Sequence, residues 1–252
     1  MSEISRRKML RRGLAAAAGL SGLAAAERIA DRYGLVPPDH AGLYGPGGTL
    51  TYAAQRLLTR QSLAREFSRS QISNPPFANE TAPPTDQFKS LQANGFKDWR
   101  LSIEGLVAQP GSLSLDDLKR FSVRRQITEI ACEEGWSYIA EWIGTPLVEV
   151  LHAAEVMPQA RYIVYFSIDR GWWDSIDMAD ALHPQTLLAY AMNGPEMPLD
   201  HGAPCRLKVP RQLGYKSLKY LTKMTVTDSA SAIGDGLGSG SPSAGYSWYA
   251  GI

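Results

Sequence analysis

The chain has 252 residues, 44% of them hydrophobic and 20% charged, with 23 Gly and 16 Pro. It is long enough to close a large core, and its loop-rich mix excludes a collagen, a coiled coil and a membrane bundle. The 26 Lys and Arg nearly balance the 25 Asp and Glu, so the whole chain shows no polyanion-seeking charge of the kind a nucleic-acid binder uses, and no nucleic-acid partner is expected.

The N-terminus reads as an address. Ser5-Arg6-Arg7-Lys8-Met9-Leu10 sets a paired arginine before a weakly apolar run from Gly13 that closes on Ala24-Ala25-Ala26. Residues 1–26 are thus similar to a twin-arginine signal peptide, with too few strong apolar residues (Leu14, Leu20 and Leu23) for a stable membrane span. The expected location is the periplasm, reached through the twin-arginine export machinery. That route moves proteins already folded around a cofactor. Residues 1–26 hold five of the bases and one of the acids, which leaves 21 bases against 24 acids and a formal charge of −3.

Residues 27–48, with Pro37-Pro38 and Gly45-Pro46-Gly47-Gly48, read as a linker. Residues 49–228 read as the main domain. Within it Leu50, Ala54, Leu57, Leu58, Leu63, Ala64 and Phe67 recur at helical spacing with Arg56, Arg60 and Arg65 off the stripe, which predicts one or two surface helices. Pro75, Pro76, Pro83 and Pro84 make residues 73–86 an extended loop. Trp99, Leu101 and Ile103 alternate as a strand, and Ser114 with Asp117 predicts a capped short helix. A strand through Ile127 to Ile130 ends at Cys132. Thr145-Pro146 predicts an N-cap and first helical residue, with Leu147, Val150, Leu151 and Ala154 buried. Strands follow at 162–166, 187–192, 206–209 and 223–227; Asp177 caps a short helix that stops near His183-Pro184, and Asn193-Gly194 marks a tight turn. Residues 229–252 are a Gly- and Ser-rich tail, expected to be mobile until Tyr246, Trp248 and Tyr249 dock back on the domain. Strands and short helices without a βαβ rhythm or a Gly-rich phosphate fingerprint argue for an α+β class and against a dinucleotide fold.

Two cysteines, Cys132 and Cys205, permit a single disulfide in an exported protein. Their settings differ: Cys132 ends a strand in Ala131-Cys132-Glu133-Glu134-Gly135-Trp136-Ser137, where a loop presents side chains, and Cys205 sits in an apolar run as a small hydrophobe would. Both readings stand on the residues alone.

Residues 99–228 resemble the molybdopterin-binding domain of the sulfite oxidase family. The resemblance is carried by Cys132-Glu133-Glu134-Gly135-Trp136-Ser137, Trp142-Ile143-Gly144-Thr145-Pro146-Leu147, Leu182-His183-Pro184, Asn193-Gly194 and His201-Gly202-Ala203-Pro204-Cys205-Arg206. It implies a molybdenum-molybdopterin cofactor with Cys132 as the catalytic metal-ligating thiolate, a soft donor suited to a redox metal. It also implies a cradle for the cofactor's phosphate at His201, Arg206, Ser217, Leu218 and Lys219, assisted by Lys216. The family's loop asparagine falls on Asn79 and a hydroxyl residue after its central strand on Ser167.

Animal and plant sulfite oxidases carry an arginine a few residues after the ligand cysteine. Here Glu133 and Glu134 follow it, similar to the bacterial methionine sulfoxide reductase type of the family. Two acids disfavour an anionic substrate unless Arg69 or Arg211 compensates. The expectation is an exported oxidoreductase that transfers an oxygen atom to or from a small molecule, most simply by reducing a sulfoxide. With no Cys-x-x-Cys-His motif, the electrons need a separate partner, for which the family suggests a haem-bearing membrane subunit. Against this, His201 stands where that reductase has asparagine and sulfite oxidases have histidine, and Trp172-Trp173 shapes a different pocket mouth. A sulfite dehydrogenase is therefore the alternative. A metal-free exported binding domain closed by a Cys132–Cys205 disulfide is the alternative of another class.

Overall fold

The computed structural model describes residues 28–79, 82–83, 85–169 and 171–252; the export signal expected at 1–26 lies outside the described residues. Strands β1 (Leu101–Gly105), β2 (Gly111–Leu113), β5 (Tyr162–Ser167), β6 (Trp173–Asp177) and β9 (Leu221–Thr227) form one sheet in the order β2-β1-β9-β5-β6. A second sheet, β3-β4-β7-β8, is built from β3 (Arg124–Ala131), β4 (Ser137–Pro146), β7 (Leu187–Met192) and β8 (Arg206–Lys208). Only the β1–β9 pairing is parallel among the described strands. Short helices α1 (Gly45–Leu58), α2 (Asp86–Ala93), α3 (Leu115–Leu118), α4 (Leu147–Ala153) and α5 (Met178–Ala181) interleave with the strands. This is the α+β class that the alternating pattern predicts.

One core joins the layers: Leu101, Ile163 and Met224 from the first sheet meet Leu188 and Leu207 from the second and Leu147 and Leu151 from α4. Ser114 caps α3 as predicted, its hydroxyl accepting from the Asp117 N–H at 3.1 Å. Thr145 does not cap α4. β4 runs on through Pro146, paired opposite Leu187, and the Thr145 hydroxyl donates to the Leu118 carbonyl at 2.7 Å. Helix α2 stands on a cap that the residue pattern did not single out, the Thr85 hydroxyl accepting from the Phe88 N–H.

The apolar stripe of α1 faces outward. Leu50, Leu57 and Leu58 are 72%, 68% and 81% exposed, while Tyr52 and Arg56 face the domain. Charge decides the orientation: Arg56 Nε lies 2.7 Å from Asp177 and Nη2 lies 2.6 Å from Asp180, both buried carboxylates. Leaving them unpaired costs more than exposing a few leucines. Beyond α1 the chain is extended rather than helical, with Glu66 bridged to Thr128 and the Phe67 N–H donating to the Ile127 carbonyl.

The segment read as a linker is also part of the fold. Val36, Pro37 and Asp39 are buried, and Asp39 accepts from the Trp248 N–H at 2.7 Å. Trp248 and Tyr249 dock as expected, with the Trp248 indole donating to the Ser175 hydroxyl at 2.8 Å. The tail before them, expected to be mobile, is packed: Ala230 and Ser239 are buried, and a Cβ on Gly238 would fall 2.5 Å from Pro38. Close backbone approach, which composition cannot report, holds that segment.

Candidate active site

Cys132 follows the last residue of β3 in a tight loop. Its N–H donates to the Trp136 carbonyl at 2.9 Å, and the Gly135 N–H donates back to the Cys132 carbonyl at 3.1 Å. Gly135 turns the loop at φ 89°, a conformation that favours glycine. The Cys132 sulfur is half-buried and lies 3.4 Å from Glu133 Oε2 and 3.9 Å from Glu134 Oε2. The Trp136 indole donates to Glu134 at 2.8 Å and fixes that carboxylate. Burial, reinforced by Glu133 and Glu134, pushes the Cys132 thiol up to about 11.

From this loop an aromatic series runs inward. Phe77 packs on Trp136 at 5.1 Å, Trp136 stacks over Tyr138 at 6.1 Å, and Tyr138 meets the edge of His201 at 5.5 Å. Behind His201, Gly202 adopts φ +110°, and a Cβ there would lie 3.1 Å from both Lys219 Cα and Arg206 Cβ. This close approach brings His201, Arg206, Ser217, Leu218 and Lys219 into one cluster. Arg206 Nη1 donates to the His201 carbonyl at 2.8 Å and Nη2 to the Ser217 carbonyl at 2.5 Å. The Ser217 hydroxyl accepts from the Val209 N–H, Leu218 is buried, and Lys219 donates to the Asp200 carbonyl.

Other expected residues lie further out or are committed elsewhere. Ser167 pairs opposite Leu221, two residues beyond Lys219, and its hydroxyl accepts from the Asp169 N–H. Asn79 is exposed, two residues from Phe77 on the same loop. The Lys216 amine, expected to assist, is buried against Asp174 at 2.6 Å. Neither proposed compensator of the acids is available, because Arg69 pairs with Glu141 and Arg211 with Asp180 and the Thr59 and Arg60 carbonyls.

Lys208 is the cluster residue that the sequence pattern did not single out. It is fully buried, donates to the Glu129 carbonyl at 2.9 Å, and shares the Trp142 face with Arg206 at 5.5 and 5.2 Å. A signal exists: Arg206 and Lys208 are two apart on a strand and so share a face. Burial holds both side chains below their ordinary values. Among the described residues neither has a carboxylate ion pair, and Arg206 Nε has no partner at all. Two buried cations without an anion are expensive, and a bound anionic group removes that cost.

These features fit a molybdopterin cofactor. The phosphate end would meet Arg206, Lys208 and the backbone around Gly202, and the thiol of Cys132 would reach the metal. Among the described residues no cluster of three or more His, Cys, Asp or Glu could hold a metal ion, so a metal here would bring its other donors with the organic part. Cys132 and Cys205 are both free, Cys205 being fully buried. The disulfide of the binding-domain alternative is absent, because Cys205 points into the core with Leu207 and Leu221. Thiol titration of the unfolded protein without reductant should accordingly count two thiols per chain; none would restore the disulfide.

His201 gives a pH signature. Burial, with Arg206 and Lys219, lowers its ring from 6.5 to about 4. The native state therefore binds fewer protons than the unfolded chain between pH 6.5 and 4. The stability contributed by the neutral ring is full above that window and is lost as pH falls through it. Urea midpoints measured across the window should drop more for wild type than for His201→Asn; equal drops would exonerate the ring.

Fold and site define the class: an α+β domain built around a cysteine and a buried cationic cradle. Residues 88–233 match the family described as oxidoreductase molybdopterin binding domain. Over 195 residues the chain is 33% identical to YedZ1 of Azospira oryzae, named for a protein-methionine-sulfoxide reductase subunit, which covers 77% of this chain and 70% of that protein. It is 34% identical over 155 residues to the protein-methionine-sulfoxide reductase catalytic subunit MsrP of Xanthomonas campestris pv. campestris, covering 56% of this chain and 48% of that one. The solved structure of the sulfane dehydrogenase SoxCD from Paracoccus pantotrophus aligns with a TM-score of 0.50 at 26% identity, over 52% of this chain and 39% of that chain. The chain belongs to the oxidoreductase molybdopterin-binding family, with the sulfite oxidase-type fold. It spans about half the length of its MsrP relative. Among the described residues no helix is long and apolar enough to cross a membrane.

Proposed function

We propose that this chain is the catalytic part of an exported, periplasmic molybdenum-molybdopterin enzyme that reduces a sulfoxide or a similar neutral oxo compound. The observation that carries the reading is the pair of carboxylates 3.4 and 3.9 Å from the Cys132 sulfur, with no described cation paired to either. At an effective dielectric of 20, one like charge at 4 Å opposes an anion by about 4 kcal/mol. A neutral sulfoxide escapes that cost, and sulfite does not. The similarity to methionine-sulfoxide reductase proteins supports the same direction, and the paired arginines of residues 1–26 support export by the twin-arginine route.

When bound, the cofactor supplies two-electron oxygen-atom chemistry: sulfoxide, two electrons and two protons give thioether and water. The chain's own residues prepare the place. Cys132 offers a soft sulfur donor, Arg206 and Lys208 hold the anionic end, and Phe77 and Trp136 keep water from the sulfur side. Glu134, oriented by the Trp136 indole, holds a carboxylate beside the reacting position. The electrons come from a separate haem-bearing membrane partner.

A sulfite dehydrogenase is the second reading, favoured by His201; the likeness to the sulfane dehydrogenase SoxCD supports only the oxidising direction. The loaded enzyme should be assayed with reduced dye and methyl p-tolyl sulfoxide, and separately with sulfite and cytochrome c. Faster turnover of the sulfoxide supports reduction; turnover of sulfite alone would replace it with the second reading.

A further inference from the structure

Helix α1 is amphipathic with its faces reversed. At about 100° per residue, Leu50, Ala54, Leu57 and Leu58 fall within one arc of about 100°, opposite Tyr52 and Arg56. Tyr52 and Arg56 are the helix's buried residues, held by Asp177 and Asp180. The leucines are exposed, and Leu43 and Leu63 at either end of the helix are 81% and 63% exposed. A contiguous apolar stripe on the outside of a folded domain marks a contact surface.

The charge around it is one-sided. Between Asp39 and Glu66 the sequence contains no acidic residue and three arginines, Arg56, Arg60 and Arg65. Arg56 is turned inward, while Arg60 and Arg65 flank the stripe on the chain that leaves the helix. Protruding leucines with an arginine rim and no acids are the composition of a helix that lies in a membrane interface. A second copy of the chain would bring the same cationic rim against itself, a like-charge contact. The preceding residues 6–12 add five cations on the way into this part of the chain.

We propose that the outer face of α1 seats the domain on an anionic phospholipid surface. Leu50, Leu57 and Leu58 enter the boundary between headgroups and acyl chains, and Arg60 and Arg65 meet lipid phosphates. The inference stands apart from the proposed reaction, since none of these side chains touches the Cys132 site.

The test is cosedimentation of the full-length, cofactor-loaded protein with phosphatidylglycerol-rich vesicles and with pure phosphatidylcholine vesicles. Binding is expected on the anionic vesicles and is weakened by salt. Leu57→Asp/Leu58→Asp and, separately, Arg60→Glu/Arg65→Glu should each weaken it roughly ten-fold or more, with circular dichroism, melting temperature and turnover in solution unchanged. If the aspartates impair folding, Leu57→Gln/Leu58→Gln serves instead. Failure to bind anionic vesicles overturns the proposal. Equal binding by wild type and both variants also overturns it and places the contact in residues 1–27. Light scattering that shows a dimer lost in the leucine variant, without vesicle binding, would make the face an interface between copies and overturn it too.

Discussion

Cys132→Ser should lower turnover by about 10³-fold or more, beyond the 10–100-fold typical of residues that only support a ligand. The hydroxyl is a hard donor where a soft sulfur is needed. No other described cluster can replace the sulfur, and Cys205 is sealed in the core. The fold should survive, because the loop is held by backbone bonds from the Cys132 N–H and to its carbonyl, which serine keeps. Turnover, molybdenum content by plasma mass spectrometry and circular dichroism form the measurement. Lost turnover with metal retained would place Cys132 at the reacting atoms, and loss of both would make it an anchor as well. Turnover within ten-fold of wild type would remove Cys132 from the chemistry. Cys205→Ala, a change away from the site, should leave specific turnover unaltered.

Asp180→Ala is expected to be the most damaging single change to stability, at about 3–5 kcal/mol. Asp180 is fully buried and accepts from Arg56 at 2.6 Å, Gln212 at 2.5 Å and Arg211 at 3.4 Å. Removing it leaves two buried guanidinium groups short of a counter-charge. It also loosens the attachment of α1, whose Arg56 is the anchor, and of the 211–212 turn, where the Gln212 amide oxygen accepts from the Ala250 N–H of the tail. At about 2–4 °C per kcal/mol for a chain of this size, the melting temperature should fall by roughly 10 °C. The exposed pair of Glu104 and Lys223 at 2.9 Å is the contrast: Glu104→Gln should cost less than about 1 kcal/mol. A loss below about 1 kcal/mol for Asp180→Ala would show that the buried network contributes little net stability.

Part of the site is legible in residue order alone. Cys132 at a strand end, and the His201 to Arg206 and Ser217 to Lys219 segments, follow from that order and from resemblance, and the chain folds the two segments onto each other through Gly202. Lys208 is hidden because a lysine on a short strand reads as a solvated residue. Lys216 looks available in the sequence because its partner, Asp174, lies 42 positions away. Arg69 and Arg211 look free to face Glu133 and Glu134 for the same reason, their true partners being distant along the chain.

Period and capping chemistry are local, so a stretch of sequence suffices for β5, β7, the Ser114 and Asp177 caps and the buried face of α4, and hence for the α+β class. The facing of α1, the packing of residues 36–39 and of the tail, and the separation of Cys132 from Cys205 are decided only in three dimensions. Each depends on what a side chain meets across the fold: two buried carboxylates for Arg56, Asp39 for the Trp248 N–H, and the core for Cys205. Hydrophobic periodicity records that a helix has two faces, but the pairing of buried charge chooses which one turns inward.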